Sequence, residues 1–150
     1  MMLATIRKNS KGDLVRVAQY LTGSDTVNTS VGNFTDAFAV DVEKWQKAHG
    51  LTADRIIGPD TWTSIAQSAP TLYYGSKGNA VSAVQILLGG LDVDGDFGRK
   101  TKAAVIAYQS ANGLSADGIV GIKTWSSLVF GSGSSGKSFK QPVDYKQYDS

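Results

Sequence analysis

Two stretches of the chain begin alike, Ser10-Lys11-Gly12 and Ser76-Lys77-Gly78, and each is followed by an apolar run that ends in a Gln and a Leu. The copies are 66 residues apart here and 63 apart further on, where Trp45-Gln46 corresponds to Tyr108-Gln109. The change of offset places three extra residues in the first copy, within the polar stretch 22–30. An insertion in such a stretch disturbs no core. The pattern therefore predicts one small structural unit used twice.

Each copy is expected to form three short helices. The second of them is expected over about residues 35–49 and 99–112, and Gly50 and Gly113 are placed to stop it as left-handed caps. The third helix is brief, and in the first copy it begins at Pro59, which suits the first helical position. The first helix of the first copy carries an apolar stripe at positions i, i+3, i+4 and i+7, formed by Leu14, Val17, Ala18 and Leu21.

The sequence thus predicts an all-α fold of two tandem small three-helix bundles followed by a flexible linker. We name residues 1–69 repeat 1 and residues 70–130 repeat 2. Residues 131–150 are expected to be a linker followed by the start of a catalytic domain. Gly and Ser fill positions 131–136, a composition that buries no apolar area and is typical of a flexible tether. Residues 139–150 are richer in aromatic residues than a linker requires.

Composition excludes several classes of protein. With 41% hydrophobic residues in 150, the chain can form a core, and a formal charge of +2 is too small for a nucleic-acid-binding protein. Cys is absent and His49 is the single histidine, which excludes disulfides, thiol nucleophiles, Cys-rich zinc sites and any metal site that needs two imidazoles. No cofactor and no metal ligand are predicted. No apolar run approaches the roughly 20 residues of a membrane span, and no signal peptide is visible.

Repeat 2 carries a series of short motifs in a fixed order and spacing: Gly75-Ser76-Lys77-Gly78, Val84-Gln85, Asp94-Gly95-Asp96-Phe97-Gly98, Tyr108-Gln109, Asn112-Gly113-Leu114, Asp117-Gly118-Ile119-Val120-Gly121 and Thr124-Trp125. In that order they resemble the peptidoglycan-binding domain, a three-helix module of bacterial autolysins and phage endolysins. Repeat 1 resembles the same family with two departures. Residues 31–35 replace the Asp-Gly-x-Phe-Gly turn, and Arg55 stands where repeat 2 has Gly118. These departures leave open whether repeat 1 binds the same ligand.

The resemblance implies a non-catalytic region that binds bacterial peptidoglycan and targets an attached hydrolase to the wall. It implies a monomer without a membrane or nucleic-acid partner, covalently linked to a catalytic domain that follows Ser150. The tail 141–150 loosely resembles the entry into a papain-like cysteine peptidase domain. Without an export signal, a phage endolysin would wait in the host cytoplasm until lysis and then reach the cell wall.

A glycan site needs an aromatic face for the sugar ring and a few fixed polar groups for its hydroxyls and amides. The turn 94–98 offers both, although Phe97 can either stack on a ligand or fold inward, and the inward position is favoured. Tyr20, Tyr73 and Tyr74 are further candidates for exposed aromatic residues, and their spacing does not distinguish a ligand contact from packing between the two copies. The predicted ligand-binding residues are Asp94, Asp96, Phe97, Thr101, Asp117, Tyr73 and Tyr20. The predicted core aromatics are Trp62, Trp125, Trp45 and Tyr108.

Three other interpretations compete with this one. The carboxylates at 92, 94 and 96 begin like a calcium loop, but Phe97 and Ala103 stand where such a loop needs Gly and Glu. A complete wall hydrolase would have to use His49 as its base, whereas the position before Gly50 predicts a helix cap. A prosegment or protein-docking module is the third alternative. Sedimentation with purified cell walls would separate wall binding from the hydrolase and from the prosegment or docking module.

Overall fold

The structure is a computed structural model that describes residues 3–130. This part of the chain is helical, which confirms the predicted all-α class. A short 3₁₀ helix, Asp25–Asn28, lies in the stretch where repeat 1 is longer. The linker and further domain expected at 131–150 lie outside the described residues. The α-helices are α1 (Asp13–Thr22), α2 (Asp36–Ala48), α3 (Pro59–Ser68), α4 (Asn79–Leu88), α5 (Arg99–Ala111) and α6 (Ile122–Phe130).

The helix ends follow from a few local residues. Thr35 precedes α2, and its hydroxyl accepts a hydrogen bond from the Phe38 amide at 3.2 Å, which satisfies one of the free amides of the first turn. Pro59 opens α3, where its missing N–H is not needed. Gly50 and Gly113 follow α2 and α5 with φ of 71° and 73°, so the predicted left-handed caps are confirmed. Across residues 3–130, each helix is too short or too polar to cross a bilayer.

The two repeats pack against each other through equivalent helices. α1 lies on α4, and α3 lies on α6. α4 is apolar around most of its circumference, and the five successive residues 81–85 are all buried. A helix of this kind needs neighbours on every side, and repeat 1 supplies them. The buried apolar side chains of both repeats therefore form one continuous core, which the repeat pattern alone did not predict.

A short extended segment closes each repeat. Ile6 pairs with Ile57 in repeat 1, and Leu72 pairs with Val120 in repeat 2, each as an isolated antiparallel bridge. Ile57 and Val120 are fully buried, so the loop before the third helix contributes directly to the core. The Leu3 amide also donates to the Val129 carbonyl at 2.8 Å, which joins the start of repeat 1 to α6.

The predicted core aromatics differ in depth. Trp62 and Trp125 are fully buried, and their indole N–H groups donate to the carbonyls of Ala4 at 2.9 Å and Pro70 at 2.7 Å. Tyr108 is only half-buried. Its hydroxyl lies 2.6 Å from the Ser127 hydroxyl, and burial raises the pKa of Tyr108.

Trp45 is likewise half-buried, and it packs against the edge of the core. Its indole stacks on the exposed His49 ring with centroids 3.7 Å apart. His49 is the C-terminal cap residue of α2, and its Nδ1 lies 2.8 Å from the Trp45 carbonyl oxygen. The histidine therefore occupies the cap position that the sequence indicated.

Candidate functional site

Four buried glutamines organise the loops of the molecule. Each lies on a helix that precedes a loop, and each has at most 2% of its surface exposed. A buried primary amide must satisfy two N–H donors and one carbonyl oxygen, and here the facing loop supplies the partners. These residues are Gln19, Gln46, Gln85 and Gln109.

Gln85 shows how the arrangement works. Its Nε2 donates to the Asp94 carboxylate at 2.9 Å, to the Asp96 carbonyl at 3.0 Å and to the Thr101 hydroxyl at 3.1 Å. Its Oε1 accepts from the amides of Asp94 and Gly95, each at 3.0 Å. The side chain of α4 thus fixes the loop 94–98 and the first turn of α5.

Two other loops repeat this geometry closely. Gln109 donates to the Asp117 carboxylate and the Thr124 hydroxyl, both at 3.1 Å. Gln46 bonds its own loop in the same way. The three loops share the pattern Asp-x-x-apolar-Gly-x-x-Thr, which begins at residues 54, 94 and 117. This recurring octapeptide is the sequence signal that could have revealed the glutamine network.

A surface cleft of about 490 Å³ opens beside the loop 94–98. We name it the α4–α5 cleft. Its floor includes the Gln85 network, and its rim carries both cationic and anionic side chains. Tyr74 forms part of its wall. The charged residues lining the cleft are Lys77, Asp92, Asp94, Asp96, Arg99 and Lys100.

The charges in the cleft are partly paired with one another. Lys77 forms an ion pair with Asp96, and this hydrogen bond raises the pKa of Lys77. The hydrogen bond from Gln85 lowers the pKa of Asp94, and the Asp96 amide lowers it further. Asp94 and Asp96 are therefore committed to fixing the loop, whereas Arg99 and Lys100 extend from the first turn of α5 at its exposed side.

Two of the residues that were predicted to contact the ligand are buried inside the protein. Phe97 is 1% exposed, so its ring cannot stack on a sugar and instead fills the core as Ile57 and Val120 do in their loops. Thr101 is 3% exposed, and its hydroxyl is occupied by Gln85. Both residues shape the cleft from behind, through packing and through the glutamine network.

The remaining candidates are not brought together. Asp117 is half-buried in the separate Gln109 network on the α5–α6 loop. Tyr73 is 56% exposed, and the described clefts do not include it among their lining residues. Tyr20 lies on α1 with the Arg16 guanidinium carbon 5.9 Å from its ring centroid. The structure places Asp94 and Asp96 in the α4–α5 cleft together with Tyr74, which the sequence indicated only as an exposed aromatic residue. Arg99 and Lys100 also line the cleft, and the sequence did not single them out.

Residues 77–128 match the family described as "Putative peptidoglycan binding domain". The matched residues lie within repeat 2. The matched segment contains the loop 94–98, the Gln85 and Gln109 networks and most of the α4–α5 cleft. Among solved structures, the chain is similar to the crystal structure of a peptidoglycan-binding protein from Clostridioides difficile in complex with glutamine hydroxamate. The identity is 40%, the alignment covers 41% of each chain, and the TM-score is 0.40.

The alignment therefore spans about two fifths of the length of the clostridial protein. No curated protein matches the chain.

Proposed function

We propose that the chain binds the peptidoglycan of bacterial cell walls through the α4–α5 cleft of repeat 2. The observation that carries this proposal is that most of the residues lining the cleft fall within 77–128, the segment that matches the peptidoglycan-binding family. Peptidoglycan combines sugar rings with peptides that bear both carboxylates and amines. A cleft with cationic and anionic groups on one rim suits such a ligand.

Repeat 1 supports this role as a packing partner. In repeat 1 the residue equivalent to Asp94 is Val31, and the residue equivalent to Thr101 is Phe38. Gln19 turns instead to the Thr26 hydroxyl of the 3₁₀ helix, at 3.0 Å. The corresponding loop thus lacks the carboxylate that fixes the cleft in repeat 2, so we expect repeat 2 to be the binding unit.

The biological setting that we propose is the delivery of a wall hydrolase carried in the same polypeptide, as in phage endolysins and autolysins. The Gly/Ser composition of residues 131–136 supports it, because a flexible tether would let a following domain sample nearby bonds while repeat 2 stays bound. In this setting the described residues bind and position, and the bond-breaking chemistry belongs to the attached domain.

The test is sedimentation of the purified chain with insoluble peptidoglycan, with chitin as the control polymer. We expect binding to peptidoglycan and no release of soluble fragments from it. Lys100→Ala should weaken binding, because it removes a cation from the cleft rim. Lys123→Ala is the matched control, since Lys123 also precedes the threonine of its octapeptide but lies on α6, outside the residues that line the cleft. Equal sedimentation with chitin, or equal loss in both variants, would contradict the proposal.

A further inference from the structure

Two neighbouring tyrosines of repeat 2 are almost equally exposed, but of the two only Tyr74 lines the α4–α5 cleft. Tyr73 is 56% exposed and Tyr74 is 55% exposed. Tyr74 lines the α4–α5 cleft and also a second, more apolar depression of about 420 Å³ on α5. Arg99 lines both as well. The two depressions therefore share a wall and form one continuous surface.

The second depression has an apolar floor. Ala103 and Ile106 line it, together with Lys102. The Lys102 side chain lies close over Gly118. A Cβ atom at residue 118 would stand only 3.2 Å from Lys102 Cγ and 3.3 Å from Lys102 Cε, so a larger residue there would displace the lysine. The glycine thus allows the aliphatic part of the lysine to extend the apolar floor. We name this surface, with Tyr74 at its edge, the Tyr74 facet.

The position of Tyr74 is fixed by its neighbours along the chain. The Gly75 amide donates to the Phe97 carbonyl at 2.9 Å, and the Phe97 amide donates to the Ser76 carbonyl at 2.9 Å. These bonds hold the backbone next to Tyr74 against the loop that builds the α4–α5 cleft. Its ring is therefore presented beside the cleft by an ordered backbone, so binding a ligand there costs little ordering of the main chain.

Repeat 1 replaces the same surface by ion pairs. Lys8 stands where repeat 2 has Tyr74, and it pairs with Asp36, the equivalent of Arg99, at 2.9 Å. Glu43 replaces Ile106 and pairs at 2.7 Å with Arg55, which replaces Gly118. The apolar and aromatic character of the Tyr74 facet is thus particular to repeat 2, although both repeats share the helices and loops beneath it.

From these observations we infer that Tyr74 is a stacking platform for a sugar ring of the glycan strand. The inference rests on the proposed function and assigns a part of the ligand to each part of the surface. One face of a pyranose ring presents mainly C–H groups, and its burial against an aromatic ring removes apolar area from water. The Tyr74 facet takes the sugar, and the charged α4–α5 cleft takes the polar substituents that the sugar carries.

The experiment compares Tyr74→Ala with Tyr73→Ala in the full chain. The probe is glycan strands of purified bacterial wall from which an amidase has removed the peptides, and free stem peptides serve as the second probe. Tyr74→Ala should weaken glycan binding by at least about tenfold, as expected for loss of the aromatic ring on which the sugar stacks. Tyr73→Ala should stay within about twofold of the parent chain. Tyr74→Phe should retain binding, because it keeps the ring.

A double variant supplies an independent test. Tyr74→Lys combined with Arg99→Asp copies the ion pair of repeat 1 onto repeat 2, so it should abolish glycan binding while unchanged thermal melting shows that the fold is intact. Equal binding by the two alanine variants would overturn the inference and leave the wall-binding function standing. A Tyr74→Ala variant that loses only stem-peptide binding would overturn the assignment to sugar. If the parent chain does not sediment with peptidoglycan, the proposed function itself fails.

Discussion

Repeat 1 and repeat 2 share the helices, core residues and loop contacts that we call the frame, and they differ on their surface. Both bury a tryptophan on the third helix, both tie a loop to a buried glutamine, and both close the core with an isolated bridge. On the surface, repeat 2 has an aromatic ring and an apolar floor where repeat 1 has ion pairs. The shared residues therefore report how the unit folds, and the differing residues indicate where it meets a ligand.

The largest expected effect tests whether the frame is common to both repeats. Trp62→Ala and Trp125→Ala each remove a fully buried ring and leave a cavity, which should lower the free energy of unfolding by about 3 to 5 kcal/mol. Because α3 lies on α6 and the core is continuous, each variant should destabilise the whole of residues 3–130. Urea unfolding followed by circular dichroism should show one shifted transition. Two separate transitions would show that the repeats unfold independently.

A smaller effect separates folding from binding. Gln46→Leu and Gln85→Leu each leave buried loop amides and carbonyls without partners, which should cost about 2 to 3 kcal/mol in either repeat. Only Gln85 lies under the α4–α5 cleft. We therefore expect Gln85→Leu to lose peptidoglycan binding, measured by sedimentation at a temperature where both variants are folded, and Gln46→Leu to retain it. Loss of binding in both variants would move the site away from this cleft.

The smallest effect concerns pH. The pKa of Asp94 is held below its ordinary value of 3.8 by the hydrogen bond from Gln85. A lowered folded-state pKa stabilises the folded loop above the ordinary value, and this stabilisation is lost as the pH falls through the lower folded-state pKa. Wall binding should therefore weaken only below about pH 4. In Asp94→Asn this part of the pH dependence should disappear, as measured by sedimentation between pH 3 and pH 7. An unchanged profile in the variant would assign the titration to another group.

Much of the frame could be predicted from the repeated pattern. The two offsets aligned the helices, and Gly50 and Gly113 marked the ends of α2 and α5 because the left-handed conformation that they adopt favours glycine. The packing of α1 on α4 could not be predicted in the same way. Hydrophobic periodicity shows that a helix has a buried face, but it does not identify the partner that covers that face.

The candidate site was predicted only in part. The loop 94–98 was predicted to carry the site, and the structure places it beside the α4–α5 cleft, but Phe97 was also given a ligand role that its burial excludes. Alignment with Ile57 and Val120 would have corrected this, since the fourth residue of each octapeptide points into the core. Tyr74 could not be chosen over Tyr73 from the sequence, because the feature that distinguishes it is its position on the wall of the cleft, a property of three-dimensional packing.

The hydrogen bond between the Leu3 amide and the Val129 carbonyl has a topological consequence. It brings the first described residues next to the last helix, so the two ends of the main chain from residue 3 to residue 130 lie close together. A short loop could join these ends at little entropic cost, and new ends could be opened elsewhere on the surface. The fold is thus suited to circular permutation, with the order of the helices in the chain changed and their arrangement in space kept.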